Sequence, residues 1–159
     1  MTVNDILILV RQRLGDMNKI SFSDPELLIC LNNAIYRLSK ELADQNDPEM
    51  GKTFNVVGQT PTKRPVDFLA LRGQYPLEWT TADDGSATCQ HIDPNFTDTM
   101  PVRYFARRHE VQQLTDEIPF ERPNDRKQLT LYTLYEVKPS MEAQAQQAQT
   151  GSTPKQGNN

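Results

Sequence analysis

Apolar residues recur with helical spacing most clearly between residues 21 and 44, which read SFSDPELLICLNNAIYRLSKELAD. Leu27, Leu28, Leu31, Ala34, Ile35, Leu38 and Leu42 follow one another at three- and four-residue steps and draw a single stripe. Asn32, Asn33, Arg37, Lys40 and Glu41 fall elsewhere on the wheel. The start is well marked. Ser23 as N-cap and Glu26 three residues on make a capping box, Pro25 sits in the first turn, and Phe22 and Leu27 have the spacing of a hydrophobic staple. The pattern therefore predicts a helix over 23–44. Ile29 and Tyr36, seven apart, add a second apolar line. It serves either the chain's own core or a second packing partner.

Upstream, Val3, Ile6, Leu7, Val10 and Leu14 make another stripe, and Ile8 and Leu9 widen it. Thr2 is a suitable N-cap, Asp5 lies in the first turn and Gly15 is a natural stop, so a helix is predicted over 2–14. Arg11 and Arg13 suit the dipole at its C-terminal end. A buried strand over 6–10 is the competing reading. The short connection 15–22 makes the two helices an antiparallel pair.

Beyond Asp44 the period shortens. Residues 45–52 are turn-rich, and β-compatible runs follow at 53–57, 68–71, 75–80, 87–92, 100–107 and 110–114. Residues 82–86, ADDGS, read as a hairpin turn. This predicts one small antiparallel sheet inserted over about 53–114. Residues 124–137 return to a helical pattern, with Leu129, Tyr132 and Glu136 on one side and Leu131, Leu134 and Tyr135 beside them. The threonines and tyrosines there leave a strand as the competing reading. Pro139 should interrupt the helix at about 138. The stretch 141–149 has high helix propensity and almost no apolar face, and 150–159 has the composition of a segment disordered unless bound. The fold class is α+β. An N-terminal helix pair and a C-terminal helix form a bundle with an inserted β-sheet, in one domain over 1–138 with a polar extension over 139–159.

Composition narrows the function classes. Of 159 residues 36% are hydrophobic and 24% charged, and the net charge is −4, so the chain as a whole offers no basic footprint for nucleic acid or anionic membrane. No apolar run is long enough to span a bilayer. Cys30 and Cys89 show no pairing pattern and read as a buried small residue and a strand residue in a reducing compartment. The protein is therefore expected to be made in the cytoplasm.

Candidate chemistry is sparse. His91 and His109 are the only histidines. Cys89-Gln90-His91 is too short a fragment for a zinc site, and Asp83-Asp84 lacks the rest of a calcium loop. No phosphate-binding glycine loop, G-x-S-x-G or H-E-x-x-H occurs. No catalytic residue, metal or cofactor is assigned, and an unrecognised enzyme would need acids gathered around His91 or His109. The basic, aromatic-interleaved run 103–109, RYFARRH, has the composition of single-strand nucleic-acid surfaces. On a strand, however, Arg103 and Arg107 share a face with Phe105, while Tyr104 and Arg108 share the other. Arg103, Arg107 and Arg108 are candidates for contacts to DNA or to a neighbouring subunit. A small nucleic-acid-binding or packaging accessory module is the alternative function.

The order of parts carries a resemblance. Val10-Arg11, Leu14-Gly15-Asp16, then Ser23-Asp24, Glu26-Leu27-Leu28 and Leu31-Asn32-Asn33-Ala34 resemble the N-terminal segment of the head-to-tail connector (adaptor, or head completion) proteins of tailed bacteriophages. Pro65-Val66-Asp67-Phe68 resembles the element that opens their sheet, and Glu117-Ile118-Pro119 followed by 129–135 resembles their return to a C-terminal helix. The likeness covers most of 1–137; the glutamine-rich end departs from it. It implies a non-enzymatic viral protein of the virion neck. Such subunits form rings, commonly of twelve, beneath the portal protein. The ring extends the channel for genomic DNA and offers a docking surface to the tail or nozzle protein. The expected subunit-interface residues are Ile8, Leu9, Ile29 and Tyr36. The expected portal-binding tail includes Met141, Gln144, Gln147, Thr150, Pro154 and Lys155, with no membrane involved.

Overall fold

The computed structural model describes residues 1–150, and at 140, 141, 143, 144, 148 and 150 the backbone only. The chain is an α+β protein in two compact units, where one domain with an insertion was expected. The first unit comprises Met1–Leu38 and the chain from Glu110 onward, and the second Ser39–His109. The β insertion has a core of its own, which is why it separates.

The first unit contains α1 (Val3–Leu14), the larger part of α2 (Asp24–Asp44) and α3 (Pro123–Thr150). The strand reading of 6–10 is thereby excluded. Thr2 and Asp5 form a reciprocal capping box on α1, and Gly15 closes it at φ 70°, a left-handed conformation that costs glycine little. On α2, Ser23 N–H donates to Glu26 at 2.7 Å and Glu26 N–H to the Ser23 hydroxyl at 3.4 Å, the predicted capping box. Val3, Ile6, Leu7 and Val10 of α1, Leu27, Leu31, Ala34, Ile35 and Leu38 of α2, and Leu129, Tyr132 and Val137 of α3 are buried. Most of the stripe read from spacing on α1 and α2 leaves water, with Leu14 and Leu28 only partly buried, while on α3 Val137 and not Glu136 completes the buried line. Cys30 is only half-buried, not fully buried as expected. Burial and then the carboxylates of Glu136 and Glu26 push its thiol pKa up. The Arg37 guanidinium lies 4.2 Å from the Tyr132 ring centroid.

Two expectations for this unit fail. The helix runs through Pro139, where a break was predicted. Residues 110–114 are not a strand, because their polar backbone groups find other partners. Asn32 accepts from Val111 N–H and donates to its carbonyl, both at 2.9 Å. Gln112 and Gln113 N–H donate to the Asp116 carboxylate. The Leu114 and Asp116 carbonyls accept from Asn4 and Val3 N–H, two of the donors that the first turn of α1 leaves unpaired.

The second unit begins with the end of α2 and a 3-10 turn, Pro48–Met50. Its strands are β1 (Gly51–Val57), β2 (Thr62–Lys63), β3 (Phe68–Leu71), β4 (Leu77–Thr81), β5 (Ala87–His91) and β6 (Thr99–Ala106). They form two three-stranded antiparallel sheets, ordered β1-β6-β3 and β2-β5-β4, instead of the single sheet expected. Strand β2, two residues long, is too short to leave a periodic signal. Val56, Cys89 and Val102 form a buried cluster covered by Phe54, Leu71, Leu77, Trp79 and Met100 from both sheets. The predicted hairpin turn joins β4 to β5, with Ala82 N–H bonded to the Ser86 carbonyl at 2.8 Å and Gly85 at φ 81°.

Candidate interaction surfaces

Surfaces follow from what each helix leaves uncovered. Ile29 and Tyr36 point away from the buried stripe of α2 and are 63% and 49% exposed. Ile8 and Leu9 of α1 are 38% and 40% exposed. All four residues expected at a subunit interface therefore remain in solvent on the isolated chain. The structure adds two that spacing did not single out as exposed, Leu131 and Tyr135 of α3, four residues apart on its outer face. The Lys138 ammonium sits 5.1 Å from the Tyr135 ring centroid. Gln147 is exposed on α3. The side chains of Met141, Gln144 and Thr150, and Pro154 and Lys155 altogether, lie outside the described residues.

The basic run is arranged differently from the prediction. Strand β6 ends at Ala106, so Arg107 and Arg108 lie beyond it and the two-face alternation stops there. Arg103 is exposed opposite Thr53 of β1. Arg107 N–H donates to the Asp67 carbonyl at 2.7 Å, and Arg108 N–H to the Ser39 hydroxyl at 3.0 Å. Tyr104 and Phe105 are buried, so neither presents a ring for a nucleobase to stack on.

Asp67, in the Pro-Val-Asp-Phe element, organises this end of the sheet. Its carboxylate accepts from the Tyr104 hydroxyl at 2.9 Å and pairs with Lys52, joining β1 and β6 to the start of β3. Burial alone would raise the Asp67 pKa; the bonds from Lys52 and Tyr104 outweigh it and the net shift is downward. Burial, and then Asp67, push Tyr104 up to about 12.

Spacing assigned Arg11 to the helix dipole, yet the structure buries it. One guanidinium nitrogen donates to the Asp16 carboxylate at 2.7 Å and to the Phe22 carbonyl at 2.9 Å, and the other to Asp24 at 2.8 Å. Asp16 also accepts from the backbone N–H groups of Ile20, Ser21 and Phe22. The Ser21 N–H contributes most to holding its carboxyl below the usual range, ahead of the opposing effect of burial. Lys19, followed by Arg11, lowers Asp24. The Arg-x-x-Leu-Gly-Asp segment is therefore a clasp that shapes the α1–α2 connection. Its signal in the sequence is an acid directly after the glycine stop.

The other candidates are accounted for locally. Cys89 is buried in the second unit. The His91 ring stacks on Phe96 at 4.0 Å and accepts from Asp93 N–H. Asp84 accepts from Ser86 in the hairpin turn, while Asp83 and His109 are exposed. Among the described residues no three His, Cys, Asp or Glu side chains gather as a metal site, and no helix is long and apolar enough to cross a membrane. No family model matches this chain, and no curated protein does.

Proposed function

We propose that this chain is a structural virion protein, a head-to-tail adaptor that assembles as a ring beneath the portal of a tailed bacteriophage. The observation that carries the reading is the apolar surface on all three helices of the first unit: Ile8 and Leu9, Ile29 and Tyr36, Leu131 and Tyr135. A heterologous ring needs two different surfaces on each subunit, and surplus apolar positions on separate helices supply candidates for both. The resemblance of 10–34 to adaptor proteins supports the same reading. Three of its motif residues have structural work, since Arg11, Asp16 and Asn32 all organise connections between elements. An acidic chain repeated around a channel repels DNA phosphate and favours passage over sticking. In this role the helices form the ring body, the sheet region faces the tail or nozzle protein, and 141–159 reaches the portal protein.

Ile29→Glu and Tyr36→Glu test the interface. Both side chains are largely in solvent, so the variants should keep the fold, as read by circular dichroism. They should fail to form rings, alone or on purified portal, when particle mass is measured by light scattering. Rings that persist in both variants would remove the interface. Deleting 150–159 should leave a folded subunit that no longer joins portal-containing heads, and unchanged joining would remove the role of the tail.

A further inference from the structure

An open groove in the first unit lies between α1 and α3 and encloses about 280 Å³. Its apolar lining includes Ile6, Leu9 and Pro123, and its charged side chains are Arg13, Arg126 and Lys127; Met1, whose ammonium pairs with Glu117, also lines it. No carboxylate lines it, on a chain whose net charge is −4. The Arg126 Nε is bonded to the Phe120 carbonyl at 2.7 Å, which fixes the guanidinium plane at the groove. Among the described residues none of the three cations is in an ion pair. Clustering three like charges is unfavourable unless something anionic meets them.

We propose that this groove binds an acidic amphipathic segment of a partner protein, seating an apolar side chain against Leu9 and Pro123 and its carboxylates against Arg13, Arg126 and Lys127. The apolar floor selects a peptide over a nucleic-acid backbone. Phosphates would engage the rim but leave Leu9 and Pro123 facing water, whereas a helical segment with Leu and Glu one turn apart satisfies both. The inference rests on the groove alone; Leu9 also belongs to the proposed subunit interface, so a ring that covers it would compete with the peptide.

Fluorescence anisotropy on the full chain tests it. The probe is a labelled peptide of about 15 residues built from Leu, Ala and Glu with helical amphipathic spacing. A matched peptide carries Gln for Glu, and a short duplex DNA serves as competitor. The Glu peptide should bind, should weaken as salt is raised, and should bind at least about tenfold more tightly than the Gln peptide. The double variant R13E/K127E reverses the charge of two exposed side chains and should lose at least about tenfold in affinity. Leu9→Gln should weaken binding while preserving its salt dependence. The proposal is overturned by equal binding of the two peptides, by R13E/K127E binding as the parent does, or by DNA displacing the peptide at comparable concentration.

Discussion

Arg11 shows how much one side chain can decide. It is 3% exposed and donates to two carboxylates and a carbonyl that would otherwise face one another across the α1–α2 connection. Arg11→Met should lower the urea midpoint clearly, whereas Arg13→Met, two residues on and exposed, should stay within about 0.5 kcal/mol of the parent. Equal effects of the two would deny the clasp its role. Tyr104 offers a spectroscopic check in the second unit. Its folded pKa of about 12 lies above the unfolded value of about 10, so the fold favours the neutral phenol. That contribution to stability is complete below about pH 10 and is lost as pH rises through about 12. In an ultraviolet titration of the native protein Tyr104 should be a late-ionising tyrosine, and the late component should vanish in Tyr104→Phe.

At the scale of elements, α3 differs most from its prediction. A proline inside a helix removes one hydrogen bond and crowds the preceding turn, at a cost of about 3 kcal/mol. The helix nonetheless continues from Pro123 to Thr150. Its first half is anchored by Leu129, Tyr132 and Val137, whereas the described side chains beyond Pro139 are exposed. Pro139→Ala should therefore increase helicity at 222 nm and slow amide exchange in the turns flanking residue 139, with little change in protection around Leu129. An unchanged exchange pattern would contradict a continuous helix under strain at that point. The segment 110–114 teaches the complementary lesson. It has β-compatible residues, but Asn32, Asp116 and the open end of α1 supply its hydrogen bonds, and it becomes an ordered connection.

For the whole molecule, the two units share a dependence on ionised carboxylates. Asp16, Asp24 and Glu26 in the first and Asp67 and Asp84 in the second all have pKa values below those of unfolded carboxyls. A lowered folded pKa gives stability that is fully present above the unfolded value, about 4, and is lost as pH falls through the folded values. Denaturation midpoints should therefore be flat through neutral pH and fall below about pH 4. Asp16→Asn should flatten part of that decline. A midpoint that rises on acidification would contradict the linkage. The proposed assembly belongs to the same scale, since the uncovered apolar positions lie on three separate helices.

Much of this was legible in the chain itself. The capping residues Thr2, Ser23 and Glu26, the stop at Gly15 and the stripes on α1 and α2 are local or periodic features, and the energies behind them act within a few residues. Ile29 and Tyr36 stood out for the same reason, because a seven-residue step off the main stripe is visible on a helical wheel. Spacing alone left open whether that second line met the chain's own core or solvent. The division of the strands into two sheets, the existence of β2, the burial of Arg11, the bond from Tyr104 to Asp67 and the cationic groove between α1 and α3 were settled by folding. Each of these joins residues from separate elements, and hydrogen bonds, ion pairs and burial depend on distance in space, which a linear pattern does not encode.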